Sequence, residues 1–232
     1  VFGIGSEHQI VQADTPLKTT TQSAPRQGID DVAEFESFLD GFIESNMEAY
    51  QIPGLAFALV KDGELFFSKG YGYADVENQI PVEPANTVFR VGSVSKLVTA
   101  VTLMQVVEQG NLDLNTDINQ YLSSTQIPNS YPEPVTIEHL LTHTAGFEDR
   151  IIGILAEDEA GVRPLGEFLA DYFVARVYPT GAVHSYSNYS FTLAGQLVTE
   201  WSGIPFNQYV NENIFQSLEM PHSTFEQPVP QI

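Results

Sequence analysis

The chain has 232 residues, 43% of them hydrophobic, and no cysteine; nine Lys and Arg stand against thirty Asp and Glu, for a net charge of −21. Without cysteine there is no disulfide framework and no thiolate metal site. A surface this acidic repels phosphate, which sets nucleic acid and anionic membranes aside as partners. The apolar content is that of a globular protein, and no apolar run approaches the roughly 18 residues of a membrane span.

Residues 1 to 28 are rich in Thr, Gln, Ser and Pro, show no periodicity and read as a leader or linker. A helix is predicted from Asp31 to Tyr50. Val32, Phe35, Phe38, Leu39, Phe42, Ile43 and Met47 form its apolar stripe, and Asp31 with Glu34 resembles a capping box. Gly54 to Val60 reads as a buried strand, Asp62-Gly63 as a tight turn and Glu64 to Tyr73 as the returning strand. After a polar loop over 75–88 comes Phe89-Arg90-Val91-Gly92-Ser93-Val94-Ser95-Lys96, opening a helix that stops at Gly110.

Prolines at 128, 132 and 134 keep 111–136 mostly irregular. A short helix starts at Thr136 and runs to Leu141, and the loop Thr142 to Gly146 follows. A helix is predicted from Pro164 to Val177. A loop from Tyr178 to Asn188 leads into another helix, Phe191 to Trp201, ended by Gly203, and Pro205 opens the last one. Two strands do not make a sheet of useful independent size. The expectation is a fragment whose remaining strands lie outside this sequence, or a sheet completed by another chain across its unpaired edge.

Ser93 and Lys96 carry the first chemical signal. Three residues apart on a helix, they share one face. Of the four lysines in the chain, only Lys96 has a serine three positions before it. The helix that follows is apolar nearly all round, through Val94, Leu97, Val98, Val101, Leu103, Met104, Val106 and Val107, so it is expected to be buried on every side. An ammonium there is desolvated, which is one way a lysine becomes a base toward a neighbouring hydroxyl. The plain alternative is a surface serine with a solvated lysine.

Tyr186-Ser187-Asn188 precedes a helix. A phenol near an ammonium ionises more easily than its reference pKa of about 10 and then serves as a general base. Asn188 is placed to hold a substrate carbonyl and to fix Lys96. Ser187 or Asn188 also suits the helix N-cap. Tyr209-Val210-Asn211 has the same spacing but falls inside an amphipathic pattern and reads as core. His139 and His143 lack the Glu of a zinc-protease helix, with Leu140 in its place, and read as structural. Gly70-Tyr71-Gly72 lacks the rest of a dinucleotide motif.

Together these stretches resemble the class C β-lactamase-like serine hydrolases, a group that includes penicillin-binding proteins, D-Ala-D-Ala peptidases and esterases. Residues 89–96 resemble the nucleophile motif and Leu140 to Gly146 the helix-to-loop segment. Tyr186-Ser187-Asn188 resembles the second catalytic motif, Leu218 to Thr224 the return toward the sheet, and Gly54 to Tyr73 the opening hairpin. The resemblance implies an α+β fold, with an antiparallel-sheet α/β domain (incomplete here, 29–92) beside a mostly helical domain (93–215), and residues 216–232 returning to the sheet.

The resemblance further implies that Ser93 forms an acyl-enzyme, that Lys96 and Tyr186 share the proton work and that Asn188 binds the substrate. The expected substrate is a small-molecule or peptide acyl compound, with no metal or organic cofactor. The family habit is periplasmic, extracellular or envelope-associated. The family's third motif, Lys-Thr-Gly or His-x-Gly in type, has no match; His222-Ser223-Thr224 lacks the glycine. The 232-residue chain alone is therefore expected to be weak or inactive, and the competing reading is a non-catalytic binding or regulatory module.

Overall fold

The computed structural model describes residues 29–150, 156 and 158–230. The expected leader over residues 1–28 lies outside them. The architecture is mixed α+β, and the chain divides into two compact units, Val1–Pro84 and Ala85–Ile232.

The first unit is one helix on a small antiparallel sheet. Helix α1 spans Val32–Tyr50. Asp31 caps it, its carboxylate accepting the N–H groups of Ala33 at 2.8 Å and Glu34 at 3.1 Å, which satisfies two donors the first turn leaves free. Strands β1 (Gly54–Lys61) and β2 (Glu64–Asp75) form the expected hairpin, with a register shift at Leu59/Val60. A two-residue strand β3, Ile80–Pro81, pairs with β2. The sheet order is β1-β2-β3, and among the described residues the outer edge of β1 is unpaired.

Alternation along the strands turns Leu55, Phe57, Leu59, Phe67 and Tyr71 onto Phe35, Leu39, Ile43 and Met47 of α1. Lys69 ties the two layers together, donating to Glu36 at 2.7 Å and Asp40 at 2.8 Å. The predicted α1 stripe was too wide: Val32, Phe38 and Phe42 are exposed, Phe38 by 67%. A three-stranded sheet offers too narrow a face for seven apolar positions. Gly72 also has its account here. Its φ is +64° and a Cβ would overlap the Pro53 carbonyl oxygen, so backbone crowding explains the glycine.

The second unit is helical. A 3₁₀ turn, Gly92–Val94, runs into α2, Ser95–Glu108. Short helix α3 is Ile137–Leu141, α4 is Leu165–Asp171, α5 is Asn188–Ser202, and α6 is Phe206–Val210, continued by a π-turn over Asn211–Phe215. The core is built on Leu103, Val106, Ile118, Ile137, Leu140, Phe147, Leu169, Leu193, Leu197 and Val210, all fully buried. Tyr209 is buried as expected, its hydroxyl donating to Gln105 Oε1 at 3.3 Å.

Two expectations need correction. Helix α2 is not buried on every side. Thr99, Thr102, Leu103 and Val106 face the core, whereas Val94, Leu97, Val101 and Met104 are exposed, Leu97 by 66%. The inward threonines satisfy their hydroxyls on carbonyls four residues back, Ser95 and Val98, so an apolar count does not reveal which stripe turns inward. The helix predicted over 164–177 ends at Asp171. Val174 and Arg176 are buried while Ala175 and Val177 are exposed. This period of two marks an extended segment, and Phe147 pairs with Arg176 across an isolated antiparallel bridge.

Helix α5 is tied to Ser123 and Ser124 through its own Glu200. Its carboxylate accepts Ser123 Oγ at 2.5 Å, Ser124 Oγ at 2.6 Å, Ser124 N–H at 3.1 Å and Gln196 Nε2 at 3.0 Å. Burial alone raises this carboxyl group's pKa; the four donors overcome it and bring it down to about 2. A depressed carboxylate stabilises the fold above its unfolded value of about 4.5, and the contribution disappears as pH falls toward 2. Thermal melts should therefore show wild type above Glu200→Gln at pH 6, with the gap closing between pH 4.5 and 2.5. A gap that stays constant down to pH 3 contradicts this account.

Candidate active site

The four candidate residues all belong to the second unit. The turn Gly92–Val94 presents Ser93 at the start of the α2 segment, and Ser93 is exposed. Lys96 sits one turn further on and is half-buried. Its Nζ donates to Ser93 Oγ at 3.1 Å and to Asn188 Oδ1 at 2.7 Å. It also lies 4.8 Å from the centroid of the Tyr186 ring and 5.8 Å from that of Phe191, a cation–π distance.

Ser93 Oγ and Tyr186 Oη are hydrogen-bonded at 2.6 Å. The Tyr186 phenol is held below its ordinary pKa of 10, first by hydrogen bonding to Lys96 and then by hydrogen bonding to Ser93. Burial and Asp149 push the other way and are outweighed. Thus Ser93, Lys96, Tyr186 and Asn188, named from sequence, form one hydrogen-bonded set.

Two interlocking loops deliver Tyr186 and Asn188. Gly146 has φ +83°, and a Cβ there would overlap the Tyr178 carbonyl oxygen. That close approach lets the Gly146 carbonyl accept Val177 N–H at 2.8 Å and Tyr178 N–H at 3.2 Å. Glu148 N–H donates to Ala175, Gly181 N–H to Thr144 and Ser185 N–H to His143, all backbone to backbone. Beyond this seam Ser187, fully buried, caps α5 by accepting Ser190 N–H at 3.3 Å. The capping role predicted for Ser187 or Asn188 belongs to Ser187. Asn188, the first helical residue, keeps its amide for the site.

Residues 39–232 match the beta-lactamase family.

The chain belongs to the beta-lactamase family.

Among relatives, Protein flp of Staphylococcus aureus (strain MW2) is 28% identical over 195 residues, covering 82% of this chain and 38% of flp. Among solved structures, the octameric penicillin-binding protein homologue from Pyrococcus abyssi superposes with a TM-score of 0.71 at 28% identity, over 83% of this chain and 45% of that one. The penicillin-binding protein from Bacillus halodurans gives 0.63 at 31% identity, over 77% of this chain and 54% of that one. This beta-lactamase-family chain thus spans well under half the length of flp. The fold is that of the β-lactamase and transpeptidase group. Among the described residues no helix is long and apolar enough to cross a membrane.

Three neighbours of the site were not read from sequence as part of it. Asp149 accepts both the backbone N–H and the side-chain Nδ2 of Asn188, each at 3.2 Å. This orientation turns Asn188 Oδ1 toward Lys96. Phe191, one turn into α5, stands beside the Lys96 ammonium. His143, read as structural, packs directly on the Tyr186 ring, with centroids 4.5 Å apart. A lone Asp three residues past a glycine carries no local signal, and only the folded loops bring it to Asn188. His139 is structural: its Nδ1 closes a capping box with Thr136 at the start of α3.

Proposed function

We propose that this chain carries the acylating centre of a serine hydrolase, with Ser93 as nucleophile toward a β-lactam, D-Ala peptide or ester carbonyl. The observation that supports it is the hydrogen bonding of Ser93 Oγ to Tyr186 Oη at 2.6 Å and to Lys96 Nζ at 3.1 Å. A serine hydroxyl is a weak nucleophile until a base takes its proton. Lys96 is engaged with three oxygens, those of Ser93, Asn188 and the Tyr186 phenol, and an ammonium donating all three hydrogens has no lone pair left, so the proposed acceptor is the Tyr186 phenol in its ionised form.

In the proposed step the Ser93 proton passes to the Tyr186 phenolate as Oγ bonds to the carbonyl carbon. The tetrahedral oxyanion is received by the Ser93 backbone N–H at the helical N-terminus. When it collapses, the bond to the leaving amine or alkoxide breaks, and Tyr186 returns the proton to that group. A water then repeats the sequence against the Ser93 ester. Asn188, held by Asp149 and Lys96, is the proposed partner of the acyl portion through the second hydrogen of its Nδ2.

With no Lys-Thr-Gly or His-x-Gly motif in this sequence, a second oxyanion donor is not supplied as in the family. One lost donor costs about 10²–10³ in rate, so turnover by this chain alone is slow. The decisive experiment is covalent capture. Incubation with a fluorophosphonate and, separately, with a penicillin, followed by peptide mapping, should give an adduct on Ser93 from at least the fluorophosphonate. Folded protein that gives no adduct with either probe over many hours overturns the proposal and favours a non-catalytic binding module.

A further inference from the structure

We propose that His143 is a positioning residue that clamps the Tyr186 segment, its neutral imidazole accepting the Ser187 N–H so that the phenol meets Ser93. The importance of Tyr186 rests on the function proposed above; the clamp itself is a matter of geometry.

His143 holds both neighbours of Tyr186. Its backbone carbonyl accepts Ser185 N–H at 2.8 Å, and its ring Nδ1 accepts Ser187 N–H at 3.2 Å. Residues 185 and 187 are thereby fixed to a single residue of the facing loop, with Tyr186 between them. The His143 ring also lies 4.5 Å from the Tyr186 ring at 34°, and 5.1 Å from Phe191 at 39°. Tyr186 is itself 40% exposed, so packing alone does not fix its direction. His143 adopts a left-handed backbone, φ +57°, a conformation in which His and Asn are over-represented among non-glycine residues. It is this kink that turns both its carbonyl and its ring to the same segment.

The clamp requires a particular protonation state. An Nδ1 that accepts from a backbone N–H carries no hydrogen, so the neutral ring holds its proton on Nε2. Protonation places a hydrogen on Nδ1 facing the Ser187 N–H, donor against donor. The groups facing His143 mostly oppose that cation. Burial is the largest influence and disfavours charge, His184 and Lys96 add repulsion, and Asp149 alone favours it, leaving the pKa below the ordinary 6.5. Tyr186, the remaining titratable neighbour, touches the ring face.

Two measurements test the inference on the whole chain. The first is nitrogen NMR of the imidazoles together with the Ser187 amide. At pH 7 His143 should be the Nε2–H tautomer, and the Ser187 amide resonance should titrate with it, at a midpoint below 6.5. An Nδ1–H tautomer, or a Ser187 amide that ignores the His143 titration, overturns the clamp whether or not the protein acylates. The second compares two variants by the rate of fluorophosphonate capture. His143→Phe keeps a ring and removes the acceptor. His143→Asn removes the ring, keeps an acceptor oxygen near the Nδ1 position and tolerates the left-handed backbone.

Misplacement of a reacting group by about 1 Å costs up to about 10²-fold. His143→Phe should therefore capture about 10- to 100-fold more slowly than wild type. His143→Asn should recover most of that loss and keep the rise with pH that Tyr186 imparts, but lack the additional fall that wild type shows as His143 protonates in acid. Equal rates for the phenylalanine variant and wild type overturn the proposal, as does an asparagine variant no faster than the phenylalanine one. If wild type gives no Ser93 adduct at all, the serine hydrolase reading fails, and the NMR result still decides the clamp.

Discussion

Ser93→Ala should abolish fluorophosphonate and penicillin capture entirely while leaving the thermal melting curve almost unchanged. The hydroxyl is exposed and its removal opens no core cavity. What disappears is the proposed nucleophilic oxygen, and no other serine in the chain stands three residues before a lysine. In a complete serine hydrolase removing the nucleophile lowers turnover on the order of 10⁶-fold; with turnover already slow here, ester hydrolysis by the variant should fall far below that of wild type. Peptide mapping of the wild type alongside the variant is the check. An adduct that persists in Ser93→Ala places the reactive group elsewhere.

The second large effect concerns the proton. Lys96→Met and Tyr186→Phe should each slow capture by about 10²–10⁴-fold, or roughly 3–5 kcal/mol of barrier. In the proposed mechanism the two groups act on one event: Lys96 makes the Tyr186 phenolate accessible, and Tyr186 takes the Ser93 proton. Their losses should therefore not add: the double variant should be no slower than the worse single one to within a few-fold, whereas independent contributions would multiply. A pH series sharpens the distinction. Wild-type capture should rise with pH to a plateau with a midpoint below 10, the direction in which Tyr186 is shifted, and Tyr186→Phe should lose that limb. Strict multiplication of the two single effects, with the alkaline limb intact in Tyr186→Phe, sinks the shared-proton account.

The parts of this molecule that were legible in its sequence are those written as local patterns. The α1 period, the β1–β2 hairpin around Asp62-Gly63 and the Ser93–Lys96 spacing each depend on residues within a turn or two. Tyr186 and Asn188 were legible as a motif, although only folding shows that they reach Ser93 and Lys96. What was not legible depends on partners far along the chain. Strand β3 is two residues long and exists because Gly72 and Tyr73 are already in place beside it. The overlong helix over 164–177 reflects an apolar stretch whose end is set by the bridge between Phe147 and Arg176. The two faces of α2 are equally apolar in sequence, so tertiary packing alone selects the inner one. His143 and Asp149 escaped for the same reason: their contacts join two loops about forty residues apart.

The wide separation of the site's halves has a kinetic consequence. Ser93 meets Tyr186 across 93 positions and Lys96 meets Asn188 across 92. Closing loops of that length costs entropy that only the assembled helical core repays, and contacts so distant in sequence form late in folding. Covalent labelling of Ser93 is therefore a reporter of completed folding. In a refolding time course, the appearance of labelling competence should lag the recovery of helical circular dichroism, and the lag measures how long the core exists before its two loops lock together.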